Sequence, residues 1–144
     1  MEAVQSNRVQ EERVAFRRLL WVGPLAAVTA AVANTFAYLV ASVLGAMPQD
    51  VVVNGQGPIT LVVVAAVSAQ GALAGAVIYA LVGWFARRPV LVFRVVAAVA
   101  LVLSFVTPFT IPGAPIPMVL TLELMHVIAA LVSVGTLTTL ARKE

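Results

Sequence analysis

The sequence predicts an all-α integral membrane protein, a four-helix up-down bundle with both termini cytoplasmic. Three observations carry this. Four apolar stretches, at residues 19–45, 59–85, 90–107 and 118–140, each reach the roughly 18 residues that span about 30 Å of hydrocarbon as a helix. Of the residues, 62% are hydrophobic and 10% charged, a balance foreign to soluble domains. Every basic residue falls at one side of the four stretches.

That charge asymmetry sets the threading. Arg8, Arg13, Arg17 and Arg18 precede the first stretch, Arg87, Arg88 and Arg94 lie in or beside the second connection, and Arg142 and Lys143 follow the fourth stretch. The first and third connections carry no basic residue, and Asp50 is the charge between them. The positive-inside rule then places both termini and the second connection in the cytoplasm. Trp21 and Trp84 fall at the same boundary, where amphipathic indoles settle. Arg94, about one turn into the third stretch, is expected to snorkel its guanidinium back to the headgroups.

Residues 1–18 form a basic lead, read either as a short helix on the membrane surface or as a tail ending in a basic stop. The first stretch is about twice the length of a cleavable signal core, so a retained helix is expected. Met47-Pro48-Gln49-Asp50 and Asn54-Gly55-Gln56-Gly57-Pro58 are turn formers around Val51-Val52-Val53, which suits a short extended piece in the first outer loop. Arg87-Arg88-Pro89 makes a tight turn with Pro89 placed to open the third helix. Pro108, Pro112, Pro115 and Pro117 end the third helix near Thr107. The membrane domain thus covers 19–141, with 142–144 as a tail. Arginine pairs at 17–18 and 87–88, each opening a hairpin, suit a parallel duplication, but the basic inner turns that this topology needs anyway are the favoured explanation.

Polar residues inside the stretches hold the functional signal. Asn34, Gln70, Ser104 and His126 each lie about 22 Å from the arginine side at 1.5 Å per residue, and so share one layer. Glu123 and Tyr38 lie one turn farther out. Glu123 and His126, three apart, project from one face that continues through Ala130 and Ser133. Two readings compete for this layer. In the structural one the side chains hydrogen-bond one another and fix register. In the functional one they line an outward-open pocket, with Glu123 and His126 as proton carriers or ligand anchors.

Gly71 and Gly75 form a GxxxG pattern that continues through Tyr79 to Gly83, and Ala26, Ala30 and Asn34 make a similar line on the first helix. The seam packs either these two helices together or a second copy of the chain. Glu-x-x-His resembles a quarter of a di-metal carboxylate site, but a single histidine and a single carboxylate well inside a stretch do not complete one. The pairing of two histidines on one haem needs more than this chain carries. There are no cysteines for disulfide or thiolate chemistry, and no phosphate loop or activated serine. No metal, cofactor, enzyme activity or nucleic-acid partner is expected; the bilayer is the nearest partner of the basic residues.

Arg17-Arg18-Leu19-Leu20-Trp21-Val22-Gly23-Pro24, Gln70-Gly71 and Leu122-Glu123-Leu124-Met125-His126 resemble a family of small bacterial four-helix membrane proteins known as a domain of unknown function. The resemblance covers residues 17–142. It implies this fold and a bacterial inner (cytoplasmic) membrane, and no activity. The function expected is a small non-enzymatic membrane protein binding a partner protein, or a lipid-like or small ligand, in an outward-facing polar pocket. The alternative is a proton-linked transporter or channel subunit using Glu123 and His126. Because the cytoplasmic half of the spans is almost wholly Ala, Val, Leu and Gly, a dead-end pocket is favoured over a path.

The threading is tested by single cysteines. Those at Gln56 and Ala114 should react with an impermeant thiol reagent added from the periplasm, and one at Glu144 should not. Labelling at Glu144 alone would reverse the orientation.

Overall fold

The computed structural model describes residues 13–53 and 55–142. Most of the basic lead, Asn54 and the last two residues of the tail lie outside the described residues. The order is α1 (Phe16–Val43), α2 (Leu61–Phe85), α3 (Pro89–Ser104), a short α4 (Val106–Phe109) and α5 (Ile116–Leu140). Four helices, with α3 and α4 counted as one, are long and apolar enough to cross a membrane. No strand occurs among the described residues, so the all-α class holds. Large apolar side chains stand exposed along the spans, including Val28, Val32 and Phe36 on α1, Val95, Val99 and Val102 on α3, and Leu120 and Leu131 on α5. A soluble surface does not present such a continuous apolar face, and hydrocarbon is its natural solvent. This is a multi-pass membrane protein.

Local chemistry sets the helix ends. Thr60 caps α2, its hydroxyl accepting from the Val63 N–H at 3.4 Å. Pro89 occupies the first turn of α3 and Pro117 that of α5, where a missing N–H costs nothing. The third span does not run unbroken to Thr107. Pro108 offers no N–H to the Ser104 carbonyl four residues back and crowds it, so α3 stops at Ser104 and α4 follows as a separate turn. Ile111-Pro112-Gly113-Ala114 then reverses the chain, with Ala114 N–H on the Ile111 carbonyl at 3.2 Å and Gly113 at φ +74°, the positive φ a type II turn requires. Val51-Val52-Val53 is not a strand: the Val53 N–H donates to Gly57 at 2.9 Å across a turn.

The ends of α1, α2, α3 and α5 that carry the arginines gather at one end of the bundle, termed here the terminal end. There Val14 pairs antiparallel with Arg142, and the Ala15 N–H donates to the Ala141 carbonyl at 2.8 Å. Neither a surface helix nor a loose tail describes Arg13 to Ala15. Val14 and Ala15 are buried, and α1 starts directly after them.

Two apolar clusters fill the interior. One, toward the terminal end, joins Val22, Ala26 and Ala30 of α1, Ala72 and Tyr79 of α2, Phe93 of α3 and Leu137 of α5. Its Tyr79 and Phe93 rings lie 4.9 Å apart at 44°. The other, at the far end, joins Tyr38, Met47, Val51, Val64, Met118 and Met125. The two hairpins are unequal: α1 buries residues along its whole length, α3 only Pro89, Val90 and Phe93 in its first turns. Exact duplication of one packing unit is therefore absent.

Close approach between helices falls elsewhere than the Gly71–Gly75 pattern suggests. A Cβ on Gly23 would meet the Ala76 Cβ at 3.2 Å, so α1 and α2 touch there. A Cβ on Gly75 would have Leu137 and Phe93 at van der Waals distance, 3.8 and 3.9 Å. On Gly71 it would meet nothing within 4 Å. On Gly83 it would lie 2.7 and 2.9 Å from side-chain atoms of Val14. Gly83→Ala should therefore cost on the order of 1–3 kcal/mol, read as a lower melting temperature in detergent, while Gly71→Ala leaves it unchanged or raises it. Equal melting of the two variants would contradict this packing.

Candidate functional site

Between the two clusters lies one polar junction. Asn34, 4% exposed, projects from α1 and donates both amide hydrogens, one to the Ser68 hydroxyl of α2 at 2.9 Å and one to the Met125 carbonyl of α5 at 3.1 Å. A carbonyl only accepts, so the amide nitrogen must face Met125 and the orientation of the group is fixed by chemistry. Its Oδ1 is buried with no hydrogen-bond partner among the described residues.

The layer expected from the sequence is only partly assembled. Gln70 is exposed on α2. The Ser104 hydroxyl donates to Leu101 on its own helix at 2.7 Å. His126 Nδ1 lies 2.7 Å from the Leu122 carbonyl of its own helix. Tyr38 donates its hydroxyl to the Ile59 carbonyl at 3.0 Å and so ties α1 to the loop before α2. Glu123, one turn from His126, has both carboxyl oxygens buried with no partner among the described residues. An interhelical network of Asn34, Gln70, Ser104 and His126 is thus corrected to an Asn34–Ser68–Met125 junction.

Beside that junction is a cavity of about 670 Å³. Its walls are Val63, Val64, Val67, Ser68 and Gly71 on α2 and Leu122, Met125, His126 and Ala129 on α5. Asn34 reaches it from α1, and Val53 with Gln56 to Thr60 closes its far end. Of the six residues singled out in the sequence, Asn34 and His126 line this cleft. Gln70, Ser104, Tyr38 and Glu123 do not. Gly71, read as a packing position, lines it as well; Gly75 and Gly83 lie in helix contacts.

The cleft exists because small residues sit where two helices separate. Toward the terminal end Leu137 and Phe93 close on Gly75, whereas from Gly71 outward α2 and α5 face each other with Ser68, Gly71 and Ala129 and leave the volume unfilled. No α3 residue lines it. Val63, Val67 and Gly71 are exposed as well as lining, and all three lie within a span, so the cleft opens sideways into hydrocarbon.

The chain belongs to DUF6069, a family of unknown function. The family's model matches residues 14–143, which takes in the whole bundle and the paired segments at its terminal end. No curated protein and no solved structure matches the chain significantly.

Two features of the cleft, Ser68 and its loop wall, were not singled out in the sequence. Ser68 shares the buried face of α2 with Val64, Ala72 and Tyr79, while Gln70 lies two residues on and so about 200° round the helix. Helical periodicity could have selected the serine over the more polar glutamine. The loop residues Gln56 to Thr60 carried no such signal. Chemically the cleft has mostly apolar walls with a few polar groups, and its volume falls within the range of about 300–1,000 Å³ usual for small-ligand pockets. Among the described residues no group of three or more metal-ligating side chains comes together.

Proposed function

We propose that this protein is a non-enzymatic binding protein of a bacterial inner membrane that holds a lipid-like ligand in the cleft between α2 and α5. With both termini cytoplasmic, as the arginine distribution favours, the cleft lies in the periplasmic half of the bilayer. The observation that carries the reading is the combination of a lateral opening at Val63, Val67 and Gly71 with a polar group set, Asn34, Ser68 and His126, in the wall. An apolar chain reaches such a site directly from the bilayer, and a polar head finds partners inside. Gln56 and Thr60, exposed at the loop end, offer further hydrogen bonds near the headgroup level.

Proton-linked transport through Glu123 and His126 has less support. The unpartnered carboxyl of Glu123 speaks for it, but only His126 of the pair lines the cleft. Toward the terminal end the interior is dominated by the cluster of Val22, Ala26, Ala72, Tyr79 and Leu137, and none of these except the Tyr79 hydroxyl offers a proton carrier. A second copy seated along Gly71 would compete for the same opening as a ligand.

Native mass spectrometry tests the reading. Wild-type protein released from mild detergent should carry a bound lipid-sized mass, and Gly71→Phe, which fills open space, should weaken retention about tenfold or more while melting like wild type. Undiminished retention by Gly71→Phe, or a dimer that the substitution abolishes, would refute ligand binding in the cleft.

A further inference from the structure

Resting on the cleft as a lipid site, we infer that its ligand carries an uncharged hydroxyl head that donates a hydrogen bond to Nε2 of His126. The argument starts from the ring itself. Nδ1 stands 2.7 Å from the Leu122 carbonyl oxygen, which has lone pairs and no hydrogen, so Nδ1 must carry the proton of the neutral ring. Nε2 then presents a lone pair. His126 lines the cleft and is half-buried, and no partner is recorded for Nε2 among the described residues.

Asn34 leads to the same requirement. Both of its amide hydrogens are committed, to Ser68 and to Met125, and what remains is the buried acceptor Oδ1, so the amide has no hydrogen to offer an occupant. Beside Asn34 and Ser68 the unmatched atom of the wall is therefore the acceptor Nε2 of His126, and an occupant that supplies a donor completes it. The Ser68 hydroxyl, which accepts from Asn34, keeps its own hydrogen for an oxygen on the occupant. An alcohol is the simplest head that gives one hydrogen bond and receives another.

Charge excludes the commonest alternatives. No arginine, lysine, aspartate or glutamate is among the described lining residues, and the basic residues of the chain cluster at the terminal end. A carboxylate or phosphate drawn into this wall would lose its water without gaining a counter-charge. It would also meet the Nε2 lone pair as one acceptor meets another. A long-chain alcohol, a prenol or a diacylglycerol-like molecule fits; a fatty-acid anion does not.

Three sixteen-carbon probes of equal chain, hexadecanol, hexadecyl methyl ether and palmitate, separate these cases on the unaltered full-length protein in nanodiscs, competed against a photoreactive alkyl probe. Hexadecanol should compete at least about tenfold better than the ether, which has lost the donor, and than palmitate at neutral pH. In His126→Phe the alcohol-to-ether ratio should fall to about one. Equal competition by alcohol and ether in wild type would overturn the hydroxyl inference and leave the cleft as a site for chains alone. Preference for palmitate would overturn it in favour of an anion site. If no probe competes, and Gly71→Phe is labelled like wild type, the cleft reading falls with it.

Discussion

Asn34 stands where apolar packing between the helices is interrupted, and its amide donates to two different helices, to Ser68 on α2 and to the backbone of Met125 on α5. The small residues around it, Ala26, Ala30 and Ala72, let the helices approach closely without specifying their register, since one alanine step looks much like the next. The amide does specify it. A slip of one helix by a turn would leave two donors in a medium with no water, a penalty of about 1–3 kcal/mol for each unsatisfied group. The net gain from the bonds as formed is smaller, about 0.6 kcal/mol each by membrane-protein averages. The junction thus acts mainly by excluding alternatives, and the two apolar clusters on either side pack in the register it allows.

The cleft is a consequence of the same arrangement. Both α2 and α5 are fastened to α1 at this level, and their direct contact lies nearer the terminal end, where Leu137 and Phe93 meet at Gly75. Beyond that point Ser68, Gly71 and Ala129 are too small to fill the gap. The third span does not close it either, because Pro108 breaks the helix at Ser104 and α3 buries only its first turns. A space bounded by two helices, a loop and the side of a third, and open to hydrocarbon, follows from these residues without any special strain. Its wall carries the outer nitrogen of His126, whose other ring nitrogen is held by the Leu122 carbonyl of the same helix.

The spans were legible because length and apolarity alone define them in a bilayer, and Pro89 announced a helix start by the chemistry of the missing N–H, whereas Pro117, read as part of the outer connection, stands in the first turn of α5. Asn34 and His126 were legible as polar residues in apolar runs. Gln70 and Ser104 drew attention for the same reason and proved irrelevant to the cleft: depth along a helix says nothing about direction, and a serine in hydrocarbon can satisfy itself on its own helix, as Ser104 does on Leu101. The GxxxG pattern identified a place where backbones could approach, yet among the glycines the tightest surroundings are at Gly23, against Ala76, and at Gly83, against the Val14 side chain, and Gly71 serves instead by leaving room. The pairing of Val14 with Arg142 had no local signal, since it is made by backbone groups far apart in the chain.

The dependence of the bundle on the Asn34 junction is tested most directly by a double-mutant cycle of Asn34→Leu and Ser68→Ala, with unfolding free energies measured in bicelles. Each single change should destabilise. The two should couple by about 0.5 kcal/mol or more, because they remove one shared bond and disturb one register. Additive effects, or an Asn34→Leu variant as stable as wild type, would contradict the account that this amide holds three helices in place.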